Sequence, residues 1–178
     1  MESDKPTLTD AEAVKSVLDG NRSAYALLVG RYERTVCGVA AGILGDYEAA
    51  RDVSQDVFFA AYEKLASLKN HSGFGTWLLQ IARNRAMSVL RDRSRVSYRS
   101  VEPETVSEDG KLDDAAETIL KLVDRLPVSE RQIVMMRYFD DLSMGEISEV
   151  TGRPVGTVTK QLSRARERLR NWLQEKNE

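Results

Sequence analysis

Between Asp141 and Trp172 the chain reads DLSMGEISEVTGRPVGTVTKQLSRARERLRNW, two helical segments around a tight break. Ser143 and Glu146 have the spacing of a capping box, in which hydroxyl and carboxylate each satisfy a free backbone N–H at a helix start. Met144, Ile147 and Val150 follow at helical spacing, and Thr151-Gly152-Arg153-Pro154 stops the segment. Gly152 is suited to the left-handed exit from a helix, and Pro154 is pre-set for the start of the next one. That second helix carries Val155, Val158, Leu162, Ala165 and Leu169 as a stripe expected to be buried. Its other face shows Thr157, Lys160, Gln161, Arg164, Arg168 and Arg170. A short helix, a glycine turn and a second helix with a basic outer face form a helix-turn-helix pattern, whose second helix suits a DNA major groove. The competing reading is an ordinary helical hairpin with a solvated basic face.

The rest of the chain extends the helical pattern. Only four prolines among 178 residues, and no alternating β-branched run, predict an all-α fold. A first helix is expected over 8–20, capped by Thr9 and ended by Gly20. A second spans 22–44, with Tyr25, Leu28, Val29, Tyr32, Val36, Val39 and Ile43 on one face, and Gly45-Asp46 breaks it. A third runs from Tyr47 to Leu68, with Ala50, Val53, Val57, Ala61, Leu65 and Leu68 inward. Its outer face holds Asp52, Gln55, Asp56, Phe59 and Glu63, and an exposed aromatic ringed by carboxylates suits a basic protein partner. Phe59 can equally widen the core stripe.

A polar loop, KNHSGFG (69–75), precedes a long helix from Thr76 to about Arg95. Trp77, Leu78, Ile81, Ala82, Met87 and Leu90 are expected inward, and Gln80, Arg83, Asn84 and Arg91 outward. Arginines and an amide beside a flexible loop with aromatics can hold phosphates and read unpaired bases. Residues 96–113 are too polar to bury a core and read as an acidic linker. Helical spacing resumes at Ala116, Ile119, Val123 and Leu126; Pro127 ends it, and Ser129 with Gln132 offers another capping box. The expectation is therefore two small helical domains, 1–95 and 114–178, joined by an acidic linker, with the helix-turn-helix in the second.

Charge supports two contacts on one polyanion. The whole chain carries −2, although duplex-binding domains are usually basic. The charge is segregated: residues 83–99 sum to +5, 102–117 to −6, and 153–170 to +5. One cysteine, Cys37, allows no intrachain disulfide and sits among Val36, Val39 and Ala40 as a small buried residue. No apolar run is long enough for a membrane span, and the N-terminus has no basic-then-apolar leader, so a cytoplasmic location is expected. No phosphate loop, nucleophile elbow or zinc-hydrolase motif is present; no enzymatic role and no cofactor are expected.

These parts together resemble a bacterial extracytoplasmic-function (ECF) RNA polymerase sigma factor of the small two-domain type, across nearly the whole chain. DVSQDVFFAAYEKL (52–65) resembles the helix that docks on the clamp helices of the polymerase β′ subunit. FGTWLLQIARNRAMSVLRDRSR (74–95) resembles the stretch that recognises and opens the −10 promoter element. LPVSERQIVMMRYFDDLSMGEISEVTGRPVGTVTKQLSRARERLR (126–170) resembles the domain that binds the −35 element. The resemblance implies that Asp52, Gln55, Asp56 and Phe59 meet the polymerase clamp. It implies that Asn70, His71, Ser72 and Phe74 lie in or beside a loop that captures a flipped base, with Arg83, Asn84 and Arg91 holding the strand or junction. Arg153, Gly156, Thr157, Lys160 and Arg164 would face the −35 element. The implied partners are core RNA polymerase (β′ clamp helices and β flap), promoter DNA and a separate anti-sigma factor, without membrane insertion.

Three positions depart from the pattern: Ser88 stands where many members carry aspartate, Ser148 where alanine is frequent, and Gln161 where serine or threonine is common. The alternative readings are a stand-alone helix-turn-helix regulator and an interaction module that sequesters an anti-sigma partner.

Overall fold

The computed structural model describes residues 8–97 and 114–176, and the described residues form helices and turns only. The acidic stretch expected as a linker lies, from residue 98 to 113, outside the described residues. Eight α-helices follow in order: α1 (Asp10–Leu18), α2 (Ser23–Leu44), α3 (Tyr47–Lys64), α4 (Phe74–Ser97), α5 (Asp114–Asp124), α6 (Val128–Tyr138), α7 (Met144–Thr151) and α8 (Val155–Lys176). Short 3₁₀ turns at Leu65–Ser67 and His71–Gly73 lie between α3 and α4.

Local chemistry sets most boundaries. Thr9 and Glu12 form a reciprocal capping box at α1, and Asp46 caps α3 by accepting from the Ala49 N–H at 3.0 Å. That bond, ahead of a contact with Arg93, holds the Asp46 carboxyl below its ordinary range. Gly45 ends α2 at φ 66° and Gly152 ends α7 at φ 68°, a conformation that costs other residues about 1 kcal/mol or more. The box expected at Ser129 and Gln132 is absent. Pro127 stands at the N-cap of α6, no side chain caps that helix, and Gln132 is buried with its Nε2 unpartnered. The helix begins earlier than Ser129 because Pro127 fixes the φ that starts it.

α2 is the hub. α1, α3 and α4 pack around it, and so does α6 from the second half of the chain. All six residues expected inward on the third helix are buried, Leu65 and Leu68 lying just past the end of α3, as are Leu28, Val36, Val39 and Ile43 of α2. Cys37 is buried among them. Ile119 and Val155, both expected inward, are 45% and 47% exposed, while Leu122 is buried instead. α5 packs only lightly on α6 and α8, and its buried side runs through Leu122 and Val123, with Leu126 buried just past its end as expected.

The two halves share one core. Ile133, Met136, Ile147, Val150 and Val158 belong to the same buried cluster as the α1–α4 core residues, while Val123, Leu126, Val134 and Ala165 form a smaller one. The contact runs along Gly38 and Gly42, one helical turn apart on α2. A Cβ at Gly42 would lie 2.9 Å from Met135 Cβ, so only glycine lets α6 approach this closely. Arg131 clasps the seam. Its Nε donates to the Gly42 carbonyl at 2.9 Å and its Nη2 to the Ile43 carbonyl at 3.1 Å, capping the free carbonyls at the end of α2. A third bond runs from Nη1 to the Asp124 carbonyl at 3.0 Å.

Candidate nucleic-acid and partner interfaces

Three exposed surfaces gather the residues singled out by sequence. On α3, Asp52, Gln55, Asp56, Phe59 and Glu63 form one stripe of the helix, all exposed, and the Phe59 ring is 74% exposed. The core-widening reading of Phe59 is therefore excluded. Asp56 has a partner that sequence did not suggest: Arg85 of α4 donates to its Oδ2 from Nη2 at 2.7 Å and from Nε at 3.2 Å. Both side chains are about half exposed, so the pair contributes ~0–1 kcal/mol and is readily exchanged for another partner.

The second surface is the 3₁₀ turn before α4. Asn70 and Ser72 are exposed and His71 is half-buried. The Asn70 side chain accepts from the Ser72 N–H at 3.2 Å and the Gly73 N–H donates to the Asn70 carbonyl at 3.0 Å. Phe74, expected beside them on the nucleic-acid face, is fully buried. As the first residue of α4 it turns beneath the loop, packing edge-on to Tyr32 at 5.6 Å and tilted against Trp77 at 6.0 Å between centroids. It supports the turn and does not face solvent. Along α4, Asn84 and Arg91 are exposed. Gln80 and Arg83 are not free: Gln80 Nε2 donates to the Glu149 carbonyl of α7 at 3.1 Å, and Arg83 Nε is buried without a partner. Burial first, and repulsion from Arg153 second, lower the Arg83 pKa.

The third surface is the helix-turn-helix of α7 and α8. Its capping box is reciprocal: the Ser143 N–H donates to Glu146 Oε2 at 2.8 Å and the Glu146 N–H to Ser143 Oγ at 3.2 Å. The Ser143 hydroxyl also donates to Glu146 and keeps that carboxyl below its usual range. Gly156, Thr157, Lys160 and Arg164 are exposed on α8. No atom lies within 4 Å of where a Gly156 Cβ would stand, so internal packing does not require glycine there. Arg153 is half-buried and held in place. Its Nη1 donates to Gln161 Oε1 at 3.0 Å, and its carbonyl accepts from the Ser148 hydroxyl at 2.6 Å. Two of the departures from the family pattern thus converge on one residue. Arg168, expected outward, reaches the buried Glu130 at 3.2 Å.

Sequence reasoning missed the seam that brings Arg83 and Arg153 together. Its signal was the pair of glycines at i and i+4 in the apolar last part of α2, residues 36–44; the Arg131 clasp has no sequence signal, because its partners are backbone carbonyls. Among the described residues no helix is long and apolar enough to cross a membrane.

Residues 28–96 match the family model for sigma-70 region 2, and residues 116–169 that for sigma-70, region 4. The RNA polymerase sigma-H factor of Pseudomonas aeruginosa is 30% identical over 93% of this chain and 94% of its own length. The ECF sigma factor SigW of Bacillus subtilis is 30% identical (91% and 95%), and the ECF sigma-E factor of Escherichia coli K12 31% (94% and 95%). Among solved structures, sigma factor RpoE of Bartonella quintana, crystallised with the anti-sigma factor NepR, superposes with a TM-score of 0.74 at 25% identity. That match covers 84% of this chain and 96% of the other. CnrH, solved with the cytosolic domain of CnrY, gives a TM-score of 0.72 at 23% identity over 94% and 99% and shows the same fold.

Proposed function

Because the chain belongs to the extracytoplasmic-function group of sigma-70 RNA polymerase sigma factors and directs promoter-specific transcription initiation, we propose that its three exposed surfaces divide that task. It is an initiation factor, not an enzyme. The observation that carries the division is that one acidic face and two basic faces, on separate helices, all reach solvent within the region 2 and region 4 matches.

Asp52, Gln55, Asp56 and Phe59 take the polymerase clamp, with a basic group of the clamp replacing Arg85 at Asp56. Asn70, His71 and Ser72 meet an unpaired base of the −10 element, and Asn84 and Arg91 hold its backbone. Flipping a base costs a few kcal/mol, so the turn offers its polar groups to a base already freed by the polymerase. Gly156, Thr157, Lys160 and Arg164 meet the −35 element, with Lys160 and Arg164 long enough to reach phosphates or guanine edges. Residues 1–95 then form the unit for core binding and −10 recognition, 96–113 the connection, and 114–178 the −35 reader.

The two readers work apart. Elements 25 base pairs apart by their names are separated by roughly 85 Å of duplex, whereas a compact chain of this length has a radius of gyration of about 16 Å. Reading both requires α7 to leave α4, which frees Gln80 from the Glu149 carbonyl and uncovers Arg83 for DNA. The action is cytoplasmic, where the polymerase is. A separate anti-sigma factor is a fitting partner, as RpoE of Bartonella quintana was crystallised with NepR. Run-off transcription with purified core polymerase on a promoter library tests the reading. Specific initiation that Phe59→Ala and Lys160→Ala each weaken is expected; transcription indifferent to both variants overturns the division of surfaces.

A further inference from the structure

α1 lies outside the stretch 28–96 that matches sigma-70 region 2, yet it packs directly on the His71–Gly73 turn. The contact is organised by one carboxylate. Asp10, the first residue of α1, is held in place by the Thr9–Glu12 capping box. One Asp10 oxygen accepts from the Arg31 guanidinium and the other from the Tyr32 hydroxyl. Arg31 is tied further, donating from Nη2 to the Leu8 carbonyl at 2.7 Å. Burial, then the bond to Asp10, raises the Tyr32 pKa, so the hydroxyl remains a donor. The Tyr32 ring sits edge-on to Phe74, the buried residue into which the turn runs. At Gly75 a Cβ would lie 2.6 Å from the Tyr32 hydroxyl, so backbone and phenol are in closest contact just past the turn. Thr9, Asp10, Arg31, Tyr32 and Ser72 line one open hollow at the surface.

From this chain of contacts we propose that Asp10 is a positioning residue for −10 base discrimination, setting the Asn70–Ser72 turn through Tyr32 and Phe74. The inference rests on the reading that this turn meets an unpaired base. The turn has little of its own to fix it, since Asn70 supplies both its side-chain and its backbone acceptor. Its orientation is therefore inherited from what lies beneath, and base readout requires polar groups held to about 0.5 Å. A carboxylate has the two oxygens needed to bind Arg31 and Tyr32 together. An amide keeps one acceptor oxygen, and the NH2 in place of the other can only donate, so one of the two native bonds is lost or reversed and the Arg31 charge loses its counter-ion. α1 thus belongs to the reader, although it carries no group that meets DNA.

The test uses the full chain with core polymerase, on promoters that vary single bases of the −10 element and keep one −35 element. Asp10→Asn and Tyr32→Phe are each expected to reduce discrimination at one −10 position by at least about fivefold, within the range one base contact supplies. Core affinity, thermal stability and −35 preference should stay at their native values in both variants. Asn70→Ala serves as the marker of the turn and should flatten the same position. Unchanged discrimination in both variants while Asn70→Ala flattens it overturns the positioning role alone. Discrimination unchanged by Asn70→Ala and Ser72→Ala overturns the reading of the turn, and the positioning role with it. Loss of core affinity or stability in parallel with discrimination identifies Asp10 as merely structural and also overturns the proposal.

Discussion

The Asp140 carboxylate lies directly on the backbone of α2 at Gly38: a Cβ there would stand 2.5 Å from Asp140 Oδ1. The other oxygen, Oδ2, is buried without a hydrogen-bond partner. Only the absent side chain of Gly38 makes room for an acid at the junction of α2 and α6. Burial first pushes its pKa up, to about 7; Arg34 opposes the shift and Asp141 adds to it.

Closure of the two halves should accordingly take up a proton. With the halves apart Asp140 regains its ordinary range near 3.8, so the closed form binds the proton more tightly. Its stability is then complete below that range, declines as pH rises towards about 7, and changes little above it. Energy transfer between fluorophores on α3 and α8 should fall across this window and level off. Asp140→Asn should remove the pH dependence and keep the halves together; a dependence surviving in that variant would mean another group titrates.

Glycines on α2 should divide by what faces them. Gly38→Ala and Gly42→Ala place a methyl against Asp140 or Met135 and should separate the halves without unfolding either. Gly30→Ala, on the same helix with nothing within 4 Å of the new Cβ, should stabilise the chain by ~0.5–1 kcal/mol. Chemical denaturation reports the last, and small-angle scattering the increase in size of the first two.

Two phenylalanines should give opposite outcomes. Phe74→Ala empties a fully buried site and should cost about 3–5 kcal/mol in denaturation. Phe59→Ala removes a ring that is 74% exposed; stability should stay within ~0.5 kcal/mol, while affinity for core polymerase drops by tenfold or more, in the range of about 2 kcal/mol that marks an interface anchor.

Lys160→Ala and Arg164→Ala should weaken −35 duplex binding with the fold intact, since both side chains are exposed. A residue that meets a phosphate should lower the slope of log affinity against log salt by about 0.9. One that meets a guanine edge should instead flatten base preference at one position at a cost of about 1–3 kcal/mol. Fluorescence anisotropy over a salt series separates the two.

What sequence alone determined was local. The helix count and most of the core of α2 and α3 follow from apolar spacing. The stops at Gly45 and Gly152 follow from backbone sterics, and the Ser143–Glu146 box from its own three-residue span. The acidic face around Phe59 and the basic face of α8 were legible for the same reason, being single stripes of single helices. Tertiary structure alone decided everything that depends on two distant segments meeting. It turned Phe74 inward under its loop, gave Asp56 an arginine partner, tied Arg153 to Gln161 and Ser148, and set Arg131 on the end of α2. Helical periodicity records which side of a helix is apolar but not what covers it. The covering of α2 by α6 rests on the missing side chains of Gly38 and Gly42, and on backbone carbonyls that every residue carries.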